Sequence, residues 1–285
     1  MAEITAAMVK ELREKTDTPM MKAKEALVEA NGDMEAAILW LREKNGKMQV
    51  KPDRVSAEGV VEAFLNETAT LGTIIELNSE TDFVARNEMF GGLAKTLAAH
   101  ASEHATIGTV DELLDAIHSG TGAPVRAQLQ ETFAKLRENI IFKRFSVYES
   151  TEGTVDAYIH MGGKIGVLIE LTGQGPEIQA LAREIAMHIS FTNPQFLTTA
   201  EIPAAKVDAE REIVRTRTMA EPKNANKPAE ILEKIIEGGL SNFFKETVLL
   251  EQAYIREQKQ TIAQLIKGKT EIKRFVRYEI GEASA

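Results

Sequence analysis

The sequence predicts an α+β fold. It reads as an N-terminal three-helix module and a duplicated core of small antiparallel sheets with helices. An antiparallel coiled-coil hairpin is inserted in the second copy. Three observations carry this. Short apolar runs with i, i+3, i+4 spacing fill residues 1–45. A pair of β-rich segments recurs at an offset of 94 residues. A long helical apolar pattern near 206–250 belongs to the second copy alone.

In the first helix Met8, Val9 and Leu12 share a face. Thr16-Asp17-Thr18-Pro19 breaks the chain, with Pro19 suited to the first turn of the next helix. That helix carries a broad stripe of Met20, Met21, Ala23, Ala26, Leu27 and Ala30. Adjacent methionines point about 100° apart, so one can be core while the other lies near the surface; the ordinary expectation for Met is gap-filling core for both. Asn31-Gly32 stops the helix, and Asp33 caps a third that carries Ala37, Ile38, Trp40 and Leu41. Residues 46–58 read as a linker.

The first core unit spans 59–149 and the second 153–280. Gly59-Val60-Val61-Glu62-Ala63-Phe64-Leu65 corresponds to Gly153-Thr154-Val155-Asp156-Ala157-Tyr158-Ile159, and Leu71 to Leu77 corresponds to Ile165 to Leu171. Each pair predicts a hairpin. A helix follows in both, Leu93–Ser102 against Leu181–Ser190, at an offset of 88. Lys143-Arg144-Phe145 to Glu149 recurs as Lys273-Arg274-Phe275 to Glu279, at an offset of 130, and predicts a third strand in each unit. The C-terminal segment, 261–285, contains the last of these.

The changing offset locates the insertions. Copy one has six extra residues within Ser79 to Gly92. Ser79 and Asp82 there have the spacing of a helix start. Phe83 either anchors in a partner's pocket or folds back on its own core. Copy two gains 42 residues, assigned to a helical hairpin of about 206–219 and 228–250. Ile231, Leu232, Ile235, Ile236, Leu240, Phe243, Phe244, Thr247 and Val248 recur at helical spacing along its second arm. In copy one, Thr109 and Glu112 form a capping box and Pro124 opens a helix.

The chain has 285 residues, 44% apolar and 27% charged, with a formal net charge of −9 and no cysteine. That excludes disulfides, thiolate metal sites and Cys nucleophiles. The acidity is local: residues 51–204 carry 11 positive and 21 negative side chains, and the rest of the chain is near neutral. Tracking a phosphate backbone needs clustered Lys and Arg, so direct nucleic-acid binding is not expected. The acidic stretch is either a solvated surface or a face for a basic partner. No apolar run approaches a membrane span, and Met1 to Glu11 has neither a basic nor a long apolar leader region; a cytoplasmic location is expected.

No phosphate loop, dinucleotide fingerprint or H-E-x-x-H motif is present. His100 and His104, at i, i+4, could share a metal, but no third ligand is evident. His188 is the counterpart of His100, which favours a structural role for both. His160 is placed at the hairpin turn of copy two. No acid–base pair stands out, so a binding protein rather than an enzyme, with no metal and no cofactor, is expected.

Several motifs, in order, resemble those of the bacterial elongation factor Ts family. They are Leu12…Met20-Met21…Lys24…Ala26-Leu27…Ala30-Asn31-Gly32-Asp33, then Asn78…Thr81-Asp82-Phe83-Val84-Ala85-Arg86. Tyr158-Ile159-His160 with Ile165-Gly166-Val167-Leu168, Ala186-Met187-His188, and Arg274-Phe275…Arg277-Tyr278-Glu279-Ile280-Gly281-Glu282 follow. The resemblance implies a guanine-nucleotide exchange factor that binds elongation factor Tu in its GDP-bound and nucleotide-free forms. It implies a ubiquitin-associated-like (UBA-like) N-terminal module. Thr81, Asp82, Phe83 and Val84 would disturb the magnesium and phosphate region of the partner. Leu12, Met20 and Met21 would contact the same partner domain, and Lys24, His160 and Ile255 the wider interface. Leu136-Arg137 stands where the family has Ile-Gly, and Ile255 where it has Val. The competing expectation is a helical adaptor without exchange activity.

Overall fold

A computed structural model describes residues 4–16, 18, 20–46 and 56–282. Pro19 and most of the expected linker, 47–55, lie outside the described residues. The fold is α+β. Two compact units divide the chain: Met1–Gly59, Asn78–Leu93 and Gly108–Ile141 form one, and Val60–Leu77, Ala94–Ile107 and Phe142–Ala285 the other.

In the first unit, α1 (Ala6–Thr16), α2 (Met20–Glu29) and α3 (Met34–Gly46) pack around Val9, Leu12, Ala23, Ala26, Leu27, Ala37 and Leu41. Asn31 and Gly32 adopt left-handed φ of 50° and 86°, which ends α2, and Asp33 Oδ1 accepts from Ala36 N at 2.8 Å to begin α3. The expectation that Met20 and Met21 fill the core is corrected: they are 58% and 76% exposed. Ala23, Ala26 and Leu27 are the residues that α2 buries, and the small side chains let the helices close without the two thioethers.

β1 (Glu58–Leu65), β2 (Leu71–Ser79), α4 (Asp82–Ala85), α5 (Glu88–Glu103), α6 (Val110–Asp115), α7 (Arg126–Leu136) and β3 (Ile141–Glu149) make up copy one. Thr109 caps α6 by accepting from Glu112 N, but the expected capping box is not formed: Glu112 Oε2 accepts from Thr109 Oγ1 at 2.7 Å instead of from the Thr109 N–H. Pro124 does not open α7; it bridges to Ile117, and the helix starts at Arg126. Copy two runs β4 (Gly153–His160), β5 (Ile165–Thr172), α8 (Pro176–Thr192), α9 (Ala204–Ala220), α10 (Ala229–Thr247), β6 (Ala253–Tyr254), β7 (Glu257–Thr261), α11 (Ile262–Ile266) and β8 (Ile272–Glu279). The sheet orders are β1-β2-β3 and β4-β5-β8, with β6-β7 a separate ribbon.

The period-2 pattern of β5 divides its side chains between two cores. Val167, Ile169 and Leu171 pack with Leu181, Ala182, Ile185, Ala186 and Ile189 of α8. On the other face, Val155, Ala157, Leu168 and Tyr278 pack with Val61, Ile74 and Tyr148 of the first sheet. That sheet-to-sheet contact is nearly two-fold. A Cβ on Gly72 would lie 2.7 Å from Val155 Cγ1 and 3.0 Å from Leu168; one on Gly166 would lie 2.4 Å from Val61 Cγ1 and 3.0 Å from Ile74. Arg144 bonds Glu76 at 2.6 Å and lies 4.1 Å over the Tyr278 ring; its counterpart Arg274 bonds Glu170 at 2.7 Å and lies 4.1 Å over Tyr148. Each guanidinium thus joins its own strand neighbour to the other copy's ring. Burial pushes both tyrosine hydroxyls up in pKa.

α9 and α10 form an antiparallel pair, since Arg211–Glu237 and Arg215–Glu233 run in opposite chain directions at 2.6 and 3.5 Å. Ile236 and Leu240 are buried, and Gly239 lets the backbone approach Val214, whose Cγ1 would stand 2.4 Å from an added Cβ. Ile231, expected on the apolar stripe, is 45% exposed because it lies in the first turn of α10, beyond the tightest packing. No helix among the described residues is long and apolar enough to cross a membrane.

Candidate functional site

The inserted residues of copy one begin as β2 ends. Ser79 is fully buried and its Oγ donates to Thr81 O at 2.9 Å, so it turns the backbone rather than capping a helix. The expected cap at Ser79 is therefore corrected to Thr81. Thr81 is extended (φ −127°, ψ 155°), and its Oγ1 accepts from Val84 N at 3.4 Å at the start of α4. The same hydroxyl donates to Glu138 Oε1 at 2.7 Å, and Thr81 N donates to Glu138 Oε2 at 3.0 Å. Glu80 Oε1 in turn accepts from Asn139 N at 3.0 Å. Two carboxylates, one from each segment, thus take hydrogen bonds from the opposite segment. Charge-assisted bonds of this kind are the stronger class.

Arg137 makes the clasp possible. It ends α7 at φ 60°, ψ 22°, and its N–H bonds Phe133 O at 2.8 Å. A left-handed residue at this place turns the chain so that Glu138 and Asn139 meet the loop. Glycine adopts this φ without strain, and Arg137 adopts it nonetheless.

Held this way, α4 has one face in and one face out. Val84 and Ala85 are each 8% exposed, and Phe90 at the start of α5 is fully buried. Phe83 is 84% exposed, so it does not fold back on its own core. Asp82 pairs with Arg86 across one turn at 3.0 Å, both solvent-accessible; such a pair contributes about 0.3–0.5 kcal/mol and can be exchanged for other partners. Met89 is also exposed. The result is an aromatic ring projecting beside a carboxylate from a braced turn, an arrangement that can fill a pocket and compete for a cation or a cation's ligands.

The other expected contact residues are distributed. Met20, Met21 and Lys24 share the exposed face of α2, with Val28 extending it. Leu12 is fully buried in the three-helix core, so it supports that face from beneath rather than forming surface. His160 is half-buried at the end of β4, its Nδ1 2.9 Å from Tyr158 Oη, and Ile255 sits between β6 and β7 at 37% exposure. Sequence reasoning missed Glu138 and Glu80 as the clasp. Their partners are 57 and 59 residues away, beyond any periodic signal. The one clue was the unusual Leu136-Arg137 beside them.

The profile of the family described as Elongation factor TS matches residues 80–282. The match opens on the clasp residue Glu80 and takes in the Phe83 turn, all of copy two and the last strand.

Proposed function

Because the chain belongs to the elongation factor Ts family, we propose that it binds elongation factor Tu in the cytoplasm and promotes exchange of GDP for GTP, without catalytic chemistry of its own. The observation that carries this reading is the braced, 84% exposed Phe83 beside Asp82. The UBA-like three-helix module adds a second contact through Met20, Met21 and Lys24, with Leu12 supporting them. His160 and Ile255 extend the interface.

Linkage states what such a protein must do. Exchange factor and GDP each weaken the other's binding by the same factor. A weakening of about 10⁴ needs about 5.5 kcal/mol of differential interaction. Burial of a Phe side chain contributes about 1.5–3 kcal/mol, so Phe83 supplies part of this and Met20 and Met21 add to binding rather than to the difference. Only contacts that the GDP- and magnesium-bound form cannot accept count towards exchange. Thr81, Asp82, Phe83 and Val84 are the segment assigned that role: the ring wedges, and the carboxylate competes in the magnesium and phosphate region of the partner.

The test is release of fluorescent GDP from elongation factor Tu. Wild type accelerates release; Phe83→Ala loses about 30-fold of that acceleration, as for a hot spot of about 2 kcal/mol, with thermal stability unchanged. No acceleration by wild type, with binding retained, would favour a plain adaptor. Equal acceleration by both proteins would remove Phe83 from the mechanism.

A further inference from the structure

The duplicated helix presents a second site, independent of the exchange reading. In copy two, a single atom joins positions i and i+4 near the end of α8. Gln252 Oε1 lies 2.9 Å from His188 Nε2 and accepts from Thr192 Oγ1 at 2.8 Å. Gln252 comes from the segment after α10, and its Nε2 is held by Glu246 O at 2.8 Å. The corresponding positions at the end of α5 are His100 and His104, with Glu103 standing where copy two has Phe191. Copy one therefore carries three metal-ligating side chains where copy two carries a histidine, an exposed phenylalanine and a threonine.

Their geometry is convergent. One ligand atom from each of His100, Glu103 and His104 lies within 4.8 Å of the other two. The imidazole rings meet edge-on, with centroids 4.5 Å apart and planes at 67°. Small side-chain rotations close this span to the ~2.0–2.2 Å bonds of zinc to imidazole nitrogen and carboxylate oxygen. The burial is graded: His100 is buried, His104 half-buried and Glu103 exposed. One ligand is fixed in the packed helix face, and the other two stand at the solvent boundary, where an ion can enter. The site is also at the C-terminal end of a 16-residue helix, with His104 N bonded to Ala101 O at 3.2 Å; the negative pole there favours a cation.

The geometry points to a divalent transition-metal site of the zinc class, formed by His100, Glu103 and His104. Two imidazole nitrogens and one carboxylate oxygen are the donors, and water completes the coordination. Hard cations such as magnesium and calcium prefer all-oxygen shells and are not expected to bind. The ion would take the place in copy one that Gln252 Oε1 holds in copy two, tying the last turn of the helix.

The experiment uses the full chain after chelator treatment, titrated with Co²⁺ and followed by its visible d–d bands, then with competing Zn²⁺. One equivalent is expected to produce the bands and Zn²⁺ to abolish them, while Mg²⁺ has no effect. Glu103→Gln and His104→Ala, both outside the packed core, should each weaken binding by at least about tenfold, and His118→Ala should leave it unchanged. Zn²⁺ should raise the melting temperature of wild type and not of His104→Ala. Absence of bands in wild type overturns the site. Wild-type affinity in both Glu103→Gln and His104→Ala overturns it equally, by moving the metal elsewhere. None of these readouts depends on GDP release.

Discussion

Gly72 and Gly166 hold the same place in the two copies, and each faces the other copy's Val and its Leu or Ile. Arg144 and Arg274 stack on each other's Tyr in the same reciprocal way. By contrast, six residues within Ser79 to Gly92 have no equal in copy two, α9 and α10 have none in copy one, and the ends of α5 and α8 carry different chemistry. The difference follows packing. Buried sheet faces tolerate little change in volume, so a change in one copy must be met by the other. Loops and helix ends carry no such constraint, and new binding chemistry can be added there without disturbing the core.

The largest stability effect should come from breaking the matched glycines. Gly166→Ala places a Cβ 2.4 Å from Val61 Cγ1, and Gly72→Ala places one 2.7 Å from Val155 Cγ1. Each should cost about 1–3 kcal/mol as overpacking, measured by urea unfolding. A neutral result at one position and a severe one at the other would break the near-symmetry. Glu138→Ala tests the unmatched loop instead. Removing the acceptor of Thr81 N–H and O–H should cost about 1–2 kcal/mol and slow GDP release about tenfold, because Phe83 loses its brace; retention of full exchange would show that the clasp does not position the ring.

The smallest effect concerns His188. Burial lowers its pKa from the ordinary 6.5, partly opposed by the hydrogen bond to Gln252. As pH falls below that ordinary value, the unfolded chain takes up a proton that the folded chain does not. His188 therefore contributes stability above it that is progressively lost until the depressed folded-state value is passed. His188→Gln should flatten the decline of stability as pH falls below 6.5 relative to wild type. Parallel curves for the two proteins would show that Gln252 does not hold a neutral imidazole there.

Much of the core was legible. Both hairpins, both third strands, the helices after them and the α9–α10 pair follow from repeats and from apolar periodicity, which are local signals. Asp33 and Thr109 were readable as caps because a cap acts within three residues. The cap of α4 was read two residues early because Ser79 and Thr81 offer competing hydroxyls, and the choice was made by Glu138, far along the chain. Met20 and Met21 belonged to a helical stripe wide enough to suggest core, but small residues on the same helix let the bundle close without them.

The sequence by itself determined the α+β class, the duplication and the place of each insertion, because repeats and periodicity are written into neighbouring residues. It also marked Phe83 and Asp82 as the added feature of copy one. Only the tertiary structure decided that Phe83 projects and that Glu80 and Glu138 clasp its loop. Those outcomes depend on side-chain direction, on burial and on carboxylates meeting backbone groups more than fifty residues away. Such meetings are fixed by how the packed elements place their ends, which no run of neighbouring residues encodes.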